Sequence, residues 1–188
     1  MEAALDLIAD RGEGGVTLRA LTDAADANVA AVSYHFGGLQ SLCDAAIEQA
    51  LEGYLDAQQV AVSALPPGST LEEVAAAFAR PMISALTTGG RDRAVIRIVA
   101  RAGIDPPEGW ARFEARFDQV RADVLQVLKA NLPGVRAPEL IFRTRCAAGM
   151  LNWLALARVG DELSDRSEKQ AERLLVPIVA GAFRGTSS

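Results

Sequence analysis

The side chains best able to do chemistry in this 188-residue sequence crowd into one stretch, from Thr17 to His35, and the chemistry they suit is recognition rather than catalysis. Thr17 and Asn28 each stand just ahead of a short apolar-periodic run, where an oxygen-bearing side chain caps a helix by accepting from its first free amides. A helix start of this kind also attracts anions, because unpaired N–H groups and the helix dipole both favour negative charge there. Ser33, Tyr34 and His35 then offer a hydroxyl, a phenol and an imidazole at consecutive positions. His35 is the only histidine, so no cluster with metal-ligand spacing forms around it and no serine or cysteine has a histidine partner for nucleophilic catalysis. The stretch Gly12 to Gly15 is glycine-rich but lacks the strand that phosphate loops follow. No catalytic residue, metal or cofactor is therefore expected.

The elements that must position these residues are helices. Helical spacing runs along the whole chain and alternating strand patterns are missing, which predicts an all-α fold of about nine helices. A first helix carries Leu5 and Ile8 on one face and stops at the glycines that begin with Gly12. Leu18, Leu21, Ala25, Val29, Val32 and Phe36 then mark two short helices around a tight Asp26-Ala27-Asn28 turn. That spacing is the spacing of a helix-turn-helix, in which one helix braces a second that can enter the major groove of DNA. By spacing alone it also fits a helix pair inside a bundle.

A long fourth helix is predicted from about Leu39 to Ala64, and Pro66-Pro67-Gly68-Ser69 forms the clearest break in the chain. A capping box of Ser69 with Glu72, or of Thr70 with Glu73, opens the fifth helix, which Pro81 should kink. Helices follow at about Arg91 to Ala102, around a stripe running from Trp110 to Leu128, at about Pro138 to Val159, and at about Asp165 to Phe183. Phe78, Met82, Trp110, Phe113, Phe117, Phe142, Met150 and Trp153 supply bulky side chains at helical spacing, a pattern that marks a core before it marks any pocket. Arg93, Arg97 and Arg101 recur along the sixth helix as a solvated face paired with acidic neighbours; if one of them turns inward it is Arg101, near the helix end, which would then suit an anionic ligand.

Half of the residues are apolar, enough for a sizeable core, yet no uncharged apolar stretch reaches the length of a membrane span. Two cysteines are too few for a disulfide framework and the N-terminus carries no signal-peptide pattern, which predicts a reducing cytoplasm. Charge is divided unevenly: residues 1 to 56 hold ten acidic and two basic side chains, a net of −8, leaving +3 for the remainder of the stated −5. That balance runs against the clustered lysine and arginine by which proteins neutralise phosphates.

Residues 1 to 45 resemble the DNA-binding domain of the TetR family: Ala3 to Gly12 for its first helix, Thr17 to Leu21 for the bracing helix, and Val32 to Gly37 closing the recognition helix, with Tyr34-His35-Phe36-Gly37 the most specific part. The resemblance implies a helix-turn-helix domain at 1–45 and a helical ligand-binding and dimerisation domain at 46–188. It implies phosphate contacts from Thr17, Arg19, Asn28, Tyr34 and His35, and base-edge contacts from Ala30, Ala31 and Ser33. Two of those three can offer only a methyl to thymine, so direct readout is expected to be thin. The family's usual lysine at the start of the fourth helix is replaced by Leu39, Asp26 stands for the usual turn glycine, and Met1 lies where the first helix should already be under way, without a basic arm ahead of it.

For the second domain the resemblance implies an unidentified small-molecule effector, with Phe78, Met82, Arg101, Trp110, Phe113, Phe117, Met150 and Trp153 as the candidate contacts. It also implies a homodimer through the last two helices that presents two recognition helices to a palindromic double-stranded operator. The competing reading is a helical dimeric ligand binder that has lost DNA binding, for which the acidic first domain and Leu39 speak.

Overall fold

The computed structural model describes residues 1–106, 111–157 and 162–185. Among these lie nine α-helices and no strand. Helix α1 (Glu2–Arg11) buries Ala4, Leu5, Ile8 and Ala9, then stops where Gly12, at φ 74°, donates its N–H to the Ile8 carbonyl at 2.9 Å. A 3-10 turn, Glu13–Gly15, leads to α2 (Leu18–Ala25), whose first turn is capped by Thr17 Oγ1 accepting from the Ala20 amide at 3.2 Å. Asp26 takes the left-handed conformation, φ 46°, and is the only described non-glycine residue with positive φ. A short acidic side chain tolerates that region where a branched one would not. Asn28 Oδ1 then accepts from the Ala31 amide at 2.8 Å and opens α3 (Val29–Phe36), which Gly37 ends at φ 79°.

Helix α4 (Leu39–Ser63) runs unbroken for 25 residues, so the border expected between residues 45 and 46 falls inside a helix. Its first turns pack on α1 and α3, and the rest packs among α5 (Leu71–Thr88), α6 (Gly90–Ile104) and α7 (Ala111–Asn131). Of the two expected capping boxes, Thr70 with Glu73 forms the one that opens α5, while Ser69 donates instead to the Pro66 carbonyl at 2.8 Å. Helices α8 (Ala137–Leu156) and α9 (Glu168–Arg184) complete the bundle, and α9 starts later than the periodicity suggested because Ser167 and Gln170 form its capping box.

The core is continuous from the first helix to the last. Helix α9 lies against α5, where Phe78 and Phe183 meet edge to face at 5.4 Å, α8 lies against α6, and α6 also carries α1. Pro81 sits inside α5, where it cannot donate to the carbonyl of Ala77, and the adjacent Phe78 carbonyl accepts from Gln58 Nε2 at 3.1 Å. A side chain of α4 thus supplies a buried donor beside the backbone that proline interrupts. Leu51 and Leu55 of α4 are fully buried where the two halves of the bundle join. Leu51→Ala is expected to lower stability by about 2–5 kcal/mol in urea denaturation, through lost transfer energy and the cavity left behind. In the same assay Asp26→Gly is expected to be neutral or to stabilise, whereas Asp26→Val costs about 1–2 kcal/mol by forcing a branched side chain into the left-handed region.

Candidate nucleic-acid interface and ligand chamber

The second capped helix shows one face to the body and the other to solvent. Val32 is the buried contact of α3, with Phe36 half-buried beside it, and both pack on the core. Val29, Ala30, Ser33, Tyr34 and His35 are exposed, Tyr34 to 86%, and Ala31 is half-buried. The Tyr34 and His35 rings stand edge to face at 5.0 Å, so two groups able to reach a phosphate are held together at the outer end of the helix. His35 does not close α3, because Gly37 does. Thr17 and Asn28 are exposed at the starts of α2 and α3, which places two helix N-termini on the surface beside this face.

Charge around the face is sparse. Arg19 is exposed and lies 3.8 Å from Asp23, so its guanidinium already has an anionic neighbour. Leu39 is half-buried and packs on the core at the first turn of α4, where a lysine would extend outward. The excess of acid in the first third of the chain is answered from elsewhere in the fold. Glu2 pairs with Arg91 at 3.5 Å, Asp10 with Arg97 at 3.8 Å, and Asp56 with Arg116, all of them arginines of α6 and α7. Each such exposed pair is worth at most about 1 kcal/mol. Together they engage three of the ten acidic side chains in the first 56 residues with cations of the protein's own body.

Arg101 does turn inward, but toward α1. Its Nη2 donates to the Ala9 carbonyl at 3.4 Å and its side chain lies against Gly12, where a cation complements the carboxyl end of a helix. Together with Ile8, Glu13 and Asp105 it lines a crevice of about 290 Å³ between the first domain and α6. The Nε atoms of Arg97 and Arg101 are buried without a hydrogen-bond partner. The junction between the domains therefore has a polar rim that is incompletely satisfied.

A separate chamber of about 120 Å³ opens within the bundle. Phe78, Val99, Phe117 and Val124 give it apolar walls, and Tyr54 with Gln58 of α4 supplies its polar side. Gln58 approaches the Tyr54 hydroxyl at 3.4 Å, and burial pushes the Tyr54 phenol up to about 12, so it stays a neutral hydroxyl. Of the expected contacts, Phe78 and Phe117 line this chamber. Phe113 is buried and faces a different hollow beside Glu52 and Arg116, Met82 is buried in the core, and Met150 is half-buried against it. Trp153 is 61% exposed on α8 and Arg101 belongs to the α1–α6 crevice, so neither reaches the chamber. Trp110 lies outside the described residues. Sequence reasoning missed Tyr54, Gln58, Arg121, Arg145 and Asn152. Gln58 alone left a signal, as a polar residue on the buried stripe of Leu51, Leu55 and Val62.

A capped helix pair at one end of a helical bundle, with its second helix exposed along the outer face, defines the helix-turn-helix class. Residues 1–46 match the family described as bacterial regulatory proteins, tetR family, and residues 76–182 match the tetracyclin repressor-like C-terminal domain. The chain belongs to the TetR family of bacterial regulators. It is 32% identical over 74 residues to the probable HTH-type transcriptional regulator YttP of Bacillus subtilis (strain 168), a stretch covering 39% of this chain and only 36% of that relative. The TetR family transcriptional regulator PfmR from Thermus thermophilus shares the fold with a TM-score of 0.67 at 18% identity, over 100% of this chain and 95% of that one. No helix among the described residues is long and apolar enough to cross a membrane.

Loss of one helix cap tests how firmly the outer helix is held. Asn28→Ala is expected to cost about 0.5–2 kcal/mol of local stability. The effect should appear as faster amide exchange across α3, with the thermal midpoint of the bundle little changed.

Proposed function

We propose that this regulator is a DNA-binding repressor that docks α3 in the major groove and is released from a palindromic operator by a small molecule. The observation that carries the reading is the exposed face of α3, with Ser33, Tyr34 and His35 open to solvent on a helix fixed from behind by Val32 and Phe36. In this reading Thr17, Asn28, Tyr34 and His35 contact phosphates, Arg19 does so by exchanging Asp23 for the backbone, and Ala30, Ala31 and Ser33 meet base edges. Helix α4 supports release, because the residues that line the chamber, Tyr54 and Gln58, share one rigid helix with the turns that hold α3.

Two copies pair through α8 and α9. Those helices carry Phe142, Trp153, Leu174 and Ile178, exposed by 67, 61, 47 and 53%, and bulky apolar groups left open on two packed helices support a surface made to be covered. Pairing about a two-fold axis gives two α3 helices and accounts for a palindromic site.

Selection of bound fragments from random genomic DNA tests the reading. Enrichment of a palindrome is expected, and no enrichment even at low salt would leave a helical ligand binder without DNA binding. Few cations flank the face, so the logarithmic salt slope of operator binding should fall well below the ~6 to 10 phosphate contacts of strong binders. Ile178→Asp is expected to convert a dimer to a monomer in sedimentation and to abolish operator binding, while helical content remains.

A further inference from the structure

The chamber does not end at its apolar walls. Gly103, Phe117, Arg121, Arg145, Ala148 and Asn152 also bound an outer vestibule of about 560 Å³, so one continuous site has an apolar inner end and a charged mouth. Arg121 is engaged by Asp118, which also lines the vestibule. Arg145 is exposed and has no ion pair or hydrogen bond among the described residues. Two guanidiniums against one carboxylate leave a single positive charge at the mouth among the described residues. The half-buried Asn152 amide likewise makes no hydrogen bond there, and it sits so close over Gly103 that any side chain at position 103 would displace it.

Resting on the reading of this cavity as the effector site, we propose that the effector is a monoanionic carboxylate with a short apolar tail. The tail fills the inner chamber between Phe78, Val99, Phe117 and Val124, and the carboxylate lies in the vestibule against Arg145, with Arg121 and the Asn152 amide as further donors. Size limits the tail. The inner chamber, about 120 Å³, is smaller than the ~150 Å³ cavity that accepts benzene, which holds the tail to a short one. Charge limits the head, because a neutral head leaves Arg145 without a partner and a cation meets the excess positive charge.

Calorimetric titration of the full chain, without DNA, tests the assignment with straight-chain carboxylates from butanoate to octanoate, each against the alcohol and the amine of the same length. At least one carboxylate is expected to bind more tightly than both matched compounds, and Arg145→Gln should weaken it about tenfold while leaving the alcohol unchanged. Gly103→Ala, read alongside, should weaken the carboxylate by moving the Asn152 amide. The proposal is overturned if alcohols bind as tightly as carboxylates throughout the series, if no carboxylate binds, or if Arg145→Gln, shown folded by its circular dichroism, binds carboxylate like the parent. Because DNA is absent, the outcome stands apart from the repressor reading. Carboxylate binding without operator release by carboxylate or cell extract would overturn induction and leave this site intact, whereas an operator released by cell extract when no carboxylate binds the protein would overturn the site alone.

Discussion

Helix α1 delivers its carboxyl end to α6, and the position of every recognition residue depends on that contact. Ala4, Leu5, Ile8 and Ala9 are almost completely buried, so the hydrophobic effect sets the distance between head and body. The polar rim of Arg91, Arg97 and Arg101 sets the angle, by pairing with Glu2 and Asp10 and donating to the Ala9 carbonyl. Apolar burial holds two elements together without fixing their rotation, and directional contacts supply what is missing. Without this junction α3 would still be a helix, but only α4 would locate it relative to the chamber.

The second constraint is the length of α4. Its buried stripe from Leu42 to Val62 serves the small head at one end and the bundle at the other, so one rod belongs to both domains. Gln58 makes the rod sensitive to the chamber, because its amide holds the Phe78 carbonyl next to the interruption at Pro81 and approaches Tyr54 as well. A buried amide with two partners ties the geometry of α4 to that of α5, and an occupant of the chamber lies against both.

What was legible in the sequence was what local chemistry decides. Thr17 and Asn28 announce helix starts because their oxygens reach amides three residues on, and Asp26 announces a turn because few other side chains accept its backbone angles. What was not legible was which face covers which. Trp153 and Phe78 both lie on apolar helical stripes, yet one is exposed and the other walls the chamber, since periodicity identifies an apolar face without naming its partner. Arg101 failed for the same reason: an inward-turning arginine was foreseeable, but its destination at the end of α1 depends on packing between elements about ninety residues apart. The chamber's polar groups come from three different helices, and their meeting is a property of the fold alone.

The arginines of α6 have one more effect. Because Glu2 and Asp10 find their counter-charges on α6, the head and that helix are an electrostatically matched set. A chimaera that transplanted residues 1 to 45 onto another family member's body would strand both carboxylates opposite whatever that body presents. Swapping operator specificity between relatives therefore calls for α6 to travel with the head, or for the acids of α1 to be rewritten to suit the new host.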